Sequence, residues 1–267
     1  MRNIRLVVEY DGGGFHGWQA QALPAVRTVQ EELEAVLSRV LREPVKLAVA
    51  GRTDSGVHAR GQVVNFRTAS DLPLSRLARA LAGLLPTDVS VRALGVVPPS
   101  FHARHSAIER RYLYRLLDGP SAQWARRAWW PWTRLDPAAM TAAFAPLLGE
   151  HDFRSFAGRA PGQEEVHGRC RMARLEFVRW EEGVLFMVHA NRFLYHMVRN
   201  LVGTAIAITR GRIDAATLPA IVEARDRRRA GPTAPAVGLS LEEVLYPAHC
   251  DPRGEIVDGW GKPEVRT

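Results

Sequence analysis

Ile4, Leu6, Val8 and Tyr10 fall on every second position at the start of the chain, the period-two pattern of a strand with one buried face. The turn-forming run Asp11-Gly12-Gly13-Gly14 ends it. Thr28 followed three residues later by Glu31 is a capping box, and Val29, Leu33, Val36, Leu37 and Val40 then recur at helical spacing. Short β-rich stretches at 45–49 and 61–67 predict two strands, Leu74 to Leu84 a helix, and Asp88 to Val97 a further strand. The order is β-α-β-β-α-β.

The pattern restarts after Pro98-Pro99. Ile108, Arg110, Tyr112, Tyr114 and Leu116 alternate along a long strand, and Pro137 opens a helix reaching Leu148. Strands at 171–180 and 184–191 flank Glu181-Glu182-Gly183 as a hairpin, and a helix from Phe193 to Thr209 follows. Two such units predict an α+β protein made of two ferredoxin-like (split βαβ) halves, a mixed, mostly antiparallel sheet flanked by helices. The expected organisation is an N-terminal half over 1–100, a C-terminal half over 101–247 and a tail, 248–267, whose Gly254, Gly259, Gly261 and Pro263 read as a poorly packed extension.

Composition narrows the function classes. A chain of 267 residues with 46% hydrophobic content can bury a large core. Its net charge of +8, carried mainly by arginine, suits a polyanionic partner held by planar bidentate contacts. Nucleic acid is the first expectation. Cys170 and Cys250 stand far apart with no C-x-x-C pair, and the nine histidines form no H-E-x-x-H, so neither a disulfide framework nor a metal site is expected. No apolar run approaches a membrane span, and the start lacks an apolar h-region. A cytoplasmic protein without membrane partners is expected.

Between the predicted strands at 45–49 and 61–67 lies Ala50-Gly51-Arg52-Thr53-Asp54-Ser55-Gly56-Val57-His58-Ala59. Gly51 and Gly56 permit positive φ or close approach of a ligand. If the segment is extended, Arg52 and Asp54 point the same way and their charges pair, keeping a carboxylate nucleophile ready. The same spacing also describes a turn stapled by a surface ion pair worth roughly 0 to 1 kcal/mol. Trp124, Trp129, Trp130 and Trp132 cluster without a motif, reading as a hydrophobic anchor or a contact between copies. The run Asp226-Arg227-Arg228-Arg229 reads as a solvated face.

The decapeptide at 50–59 resembles the catalytic motif of the tRNA pseudouridine synthase A family. Similar segments occur in the family's order at Glu9-Tyr10-Asp11-Gly12, Gly17-Trp18-Gln19, Thr28-Val29-Gln30-Glu31, Phe101-His102-Ala103-Arg104, Arg110-Arg111-Tyr112-Leu113-Tyr114, His196-Met197-Val198-Arg199-Asn200 and Gly238-Leu239-Ser240-Leu241. Ser55 stands where the family usually has alanine. The resemblance implies sheets joined across a central basic cleft, a homodimer, tRNA as substrate, and no cofactor. The implied reaction is isomerisation of uridine to pseudouridine at positions 38, 39 and 40 of the anticodon stem-loop.

Asp54 is then the nucleophile, Arg52 its partner and a candidate for holding the space of a flipped base, and Arg199 a further candidate partner. Tyr112, His58 and Arg110 are the substrate-binding candidates; alternation alone leaves Tyr114 a rival to Tyr112. Attack on C1′, addition to C6 and abstraction of a ribose proton all stay open as the role of Asp54. A non-catalytic RNA-binding protein and a cofactor-dependent RNA methyltransferase are the rival classes. The first has no use for an acid in a basic cleft, and the second lacks its glycine pattern here.

Overall fold

A computed structural model describes residues 1–21, 26–158, 167–250, 252 and 256–262. The chain packs as two compact units, one of residues 1–108 with 241–267 and one of residues 109–240. The expected halves at 1–100 and 101–247 therefore have their ends displaced, because the last stretch of chain returns to the first unit.

In the first unit the strand β1 (Arg2–Tyr10) is central. Its alternation is realised: Ile4, Leu6, Val8 and Tyr10 are all buried. It pairs antiparallel with β3 (His58–Thr68) and with β4 (Val89–Val97), Leu6 facing Val64 on one side and Leu94 on the other. A register shift between Val8 and Tyr10 brings Tyr10 opposite Ala59, at the start of β3. The helix α1 (Val29–Leu41) begins where Thr28 accepts the Glu31 amide, and it buries Val29, Leu33, Leu37 and Leu41. The second helix, α2 (Leu74–Leu84), buries Leu74, Leu77, Ala78 and Leu81. These spacings are those of a single apolar stripe.

Strand β2 is only Ala48–Val49, shorter than expected. The reason is Glu34 on α1, which takes the Leu47 amide at 3.0 Å and the Lys46 ammonium at 2.9 Å, so that backbone donor is spent on a carboxylate rather than a ladder. Strands β4, β1 and β3 are neighbours in that order, and β2 pairs with β3.

The tail departs from expectation. Residues Ile256–Asp258 form a strand, here β10 (β9 follows below), that adds antiparallel to β4, with Val257 fully buried. Glycine and proline flanks masked a short β-branched pair that has a sheet edge to join.

In the second unit β5 (Glu109–Leu117), β6 (Gly149–Asp152), β7 (Arg169–Trp180) and β8 (Gly183–Ala190) run in the order β5-β8-β7-β6. The β7–β8 hairpin is as expected, and β6 was not foreseen because Gly-Glu-His-Asp has no apolar alternation. Helix α3 (Pro137–Phe144), capped by Asp136, stops four residues early, since Pro146 turns the chain into a 3-10 segment. Helix α4 (Met197–Thr209) starts four residues late because its N-cap His196 takes a left-handed φ of 59°. It is nearly all buried and is followed by α5 (Leu218–Ala224). The remaining strand, β9 (Leu239–Leu245), lies beside β3 and from Leu241 on belongs to the first unit. Among the described residues no helix is long and apolar enough to cross a membrane.

The arginine run is not simply a solvated face. Arg227 is half-buried and donates to Asn200 Oδ1 and Thr233 Oγ1 at 2.9 and 3.2 Å, while Arg228 is held by its own cap Asp226.

Candidate active site

The decapeptide forms the connection from β2 to β3, and its geometry follows from which side chain goes inward. Thr53 is 7% exposed, and its hydroxyl lies 2.8 Å from that of Tyr10. Gln62 Nε2 donates to Tyr10 Oη at 3.3 Å and to the Gly51 carbonyl at 2.7 Å. Trp18 N donates to the Thr53 carbonyl at 3.1 Å. A buried polar chain thus pins the loop from behind, each group satisfied by the next. On either side of the buried Thr53, Arg52 is exposed and Asp54 is half-buried.

The turn after Asp54 is closed by Val57 N on the Asp54 carbonyl at 3.1 Å, with Gly56 at φ 78°. That conformation is one a residue with a Cβ rarely adopts. Gly51 has no positive φ, and a Cβ there would meet nothing within 4 Å, so the expectation of a backbone need at position 51 is not met. The need lies instead at Gly17, where φ is 90° and a Cβ would stand 2.8 Å from the Thr53 carbonyl oxygen and 3.2 Å from the Asp54 carbonyl carbon. The first loop of the chain therefore presses on the Asp54 loop backbone to backbone. Ser55 adds a hydroxyl bond to the Phe15 carbonyl at 3.3 Å.

The expected Arg52–Asp54 ion pair is absent: Arg52 is exposed and makes no ion pair or hydrogen bond among the described residues. Pairing there would gain little in water and cost the freedom of a long side chain. Asp54 is half-buried. His58, expected to touch substrate, is only 7% exposed. Its Nδ1 takes the Gly12 amide at 3.1 Å and lies 3.2 Å from Asp11 Oδ1, which itself takes the Gly13 amide. These bonds join the first loop to β3.

In the second unit, Tyr112 and Tyr114 share a face of β5 but not an environment. Tyr114 is fully buried, donates to the Pro235 carbonyl at 2.7 Å, and has its phenol pushed far up by burial. Tyr112, opposite Val188, is half-exposed and packs edge-on to Phe193 at 5.0 Å. Only Tyr112 can offer a ring to a ligand. Arg110, two residues earlier, donates to the Asn191 carbonyl at 2.7 Å. Arg199 on α4 is fixed at both ends of its residue: Nε donates to the Ala234 carbonyl at 2.8 Å, and its own carbonyl accepts the Ala234 amide at 3.1 Å. Arg52, Asp54 and His58 thus lie on the first unit, and Arg110, Tyr112 and Arg199 on the second.

The polar chain of Tyr10, Thr53 and Gln62 was missed by sequence reasoning. Its signals were a tyrosine in phase with buried residues and a glutamine inside a β-branched strand. Both demand a partner when buried.

Comparison with known proteins bears on these residues. A family model described as tRNA pseudouridine synthase matches residues 6–106 and 143–247. The tRNA pseudouridine synthase A of Chlorobium luteolum is 45% identical over 92% of this chain and 96% of its own. Those of Burkholderia lata and Methylobacterium sp. strain 4-46 are each 44% identical over 92% of this chain, covering 90% and 98% of their own. Among solved structures, a chain of a Cbf5-Nop10-Gar1 complex aligns with 76% of this chain and 44% of its own, with a TM-score of 0.36 at 13% identity. That likeness is too weak to bear on the site.

Proposed function

We propose, since the chain belongs to the tRNA pseudouridine synthase family, that Asp54 is the nucleophile with which it isomerises uridine in tRNA. The reaction breaks the bond from N1 to C1′, forms one from C5 to C1′, moves a proton off C5 and supplies one to N1. Atoms and electrons balance without an oxidant or a second substrate. The protein's task is therefore to extract a base, hold the ribose and place one carboxylate.

The observation that carries the reading is the mounting of Asp54. It is half-buried on a loop whose neighbouring Thr53 is buried and whose backbone is gripped by Trp18 and Gln62. A carboxylate so held serves attack at C1′, addition at C6 or removal of a ribose proton equally well. Tyr112 is proposed to pack against the displaced uracil, as an exposed ring on a rigid strand does at small entropic cost. Arg52, exposed and uncommitted, is proposed to occupy the space that the base leaves. Arg110, with one nitrogen fixed on a carbonyl, is proposed to bear on the anionic substrate, and Arg199 to be a charge partner of Asp54. His58 is proposed to contact the substrate as well as to anchor the first loop through the Gly12 amide.

The finer reading is action at uridines 38, 39 and 40 of the anticodon stem-loop by a cytoplasmic homodimer. Three sites differing in sequence are best recognised by shape and backbone contacts, because A-form RNA hides its base edges. The test is tritium release from tRNA transcribed with 5-tritiated uridine, comparing wild type with Asp54→Asn. Release by wild type and a loss of more than about 100-fold in the variant, with tRNA binding retained, is expected. Equal release by both removes Asp54 as nucleophile. Transcripts lacking uridine at each of the three positions test the site assignment.

A further inference from the structure

The four clustered tryptophans do two different things. Trp124 packs edge-on to Trp180 at 5.0 Å, and Trp129 edge-on to Tyr114 at 6.4 Å, so both are tied into the second unit. Trp130 and Trp132 instead stack on each other, centroids 3.7 Å apart and planes 23° from parallel. Trp132 is 74% exposed. Its φ is 53°, a left-handed conformation that is costly for a bulky residue and worth explaining where it occurs. The preceding carbonyl, that of Pro131, is held by the Arg210 guanidinium, which helps to keep the indole presented in that pose.

Both rings line a cavity of about 940 Å³ formed wholly within the second unit, within the size range of small-molecule sites, roughly 300 to 1,000 Å³. The charges around it are unbalanced. Its two lining acids are already engaged, Asp118 with Arg179 and Asp136 with the first amides of α3. Arg134, also in the lining, is exposed and forms no ion pair or hydrogen bond among the described residues. What remains is one uncommitted guanidinium beside an exposed indole face.

We propose that Trp130 and Trp132 form a stacking platform for an unpaired nucleobase of the RNA substrate, with Arg134 taking an adjacent phosphate. An indole stack already at near-base spacing extends by one ring when a nucleobase lies on the outer face of Trp132. Base-on-aromatic stacking beside a cation is the usual grip on single-stranded RNA. None of the candidate reaction residues lines this cavity, so the platform binds rather than reacts. The proposal rests on tRNA being the substrate and adds a second place where it is held.

The test measures binding of transcribed tRNA to the full-length chain in the Asp54→Asn background, alone and combined with Trp132→Ala, Trp132→Phe or Arg134→Ala. Trp132→Ala should weaken binding about ten-fold and Trp132→Phe about three-fold or less, with ultraviolet crosslinking to an unpaired base lost in the alanine variant. Arg134→Ala should weaken binding and flatten its dependence on salt. Unchanged affinity for Trp132→Ala overturns the platform. So does a fall in sedimenting mass caused by that substitution, which would make the patch a contact between copies of the chain. Binding of tRNA by the Asp54→Asn protein itself is the separate check on the parent reading; its absence overturns both.

Discussion

Gly17→Ala tests the idea that the first loop sets the position of Asp54 through backbone contact. The added Cβ would lie 2.8 Å from the Thr53 oxygen, where ordinary contact starts at 3.4 Å, so something must yield by 0.6 Å. The oxygen cannot retreat easily, because it accepts the amide of Trp18, whose side chain is 1% exposed. The φ of 90° adds its own penalty for alanine. Left-handed strain of about 1 to 2 kcal/mol and overpacking of about 1 to 3 give a total near 2 to 5 kcal/mol. That corresponds to a Tm lower by roughly 4 to 20 °C.

A displacement of the loop by half an ångström should also slow the chemical step about ten-fold or more, since 1 Å can cost about 100-fold. Single-turnover tritium release, below the variant's melting temperature and with tRNA binding measured alongside, reads this directly. Gly51→Ala is the control. Its Cβ meets nothing within 4 Å, so stability should stay within about 0.5 kcal/mol and the rate within about two-fold. A Gly17→Ala protein that turns over like wild type, or a Gly51→Ala protein equally slowed, refutes the reasoning.

The two tyrosines of β5 should separate cleanly. Tyr114→Phe removes a buried hydroxyl bond and should lower stability by about 1 to 3 kcal/mol in urea unfolding with the tritium rate unchanged, whereas Tyr112→Ala should cut that rate at least about ten-fold with a smaller loss of stability. Asp152 gives a pH test. Its carboxyl is held below the usual range first by the Arg154 guanidinium, with the Arg154 amide and Arg225 adding to this. A depressed folded value contributes stability above the unfolded value of about 3.9 and loses it as pH falls through the folded one. Asp152→Asn should therefore be less stable than wild type by about 1 kcal/mol at pH 7, and the gap should close as pH falls through the depressed folded value. A gap that persists below it means the loss is packing rather than charge.

Sequence periodicity was enough for β1, α1, α2, β4 and the β7–β8 hairpin, because each presents a stripe or alternation that one buried face explains. It failed where a single tertiary contact outweighed local pattern. Glu34 withdrew Leu47 from β2, and β4 recruited the glycine-flanked residues 256–258. Asp54 and Arg52 stood out in the sequence as candidates because acid, base and turn residues rarely coincide. Their supposed pairing was not, since spacing shows which way side chains point and not whether solvent competes. His58 is a related case: its burial and its bond to Gly12, which a motif cannot show, give it a structural part beside its expected contact with substrate.

The buried chain behind Asp54 also bears on which group moves protons. Burial pushes the Tyr10 phenol up to about 12, against the opposing bonds from Thr53 and Gln62. At neutral pH it is a neutral hydroxyl, fully enclosed and shared between two side chains. A group in that state is a poor general base, for which a value near the working pH is wanted. Its contribution is geometric, holding Thr53 inward. That leaves Asp54 as the proposed reacting group on this unit. The polar chain acts on it through the backbone, which is why loss of position at Gly17 should cost rate where loss of a surface charge at Arg52 cannot unfold the loop.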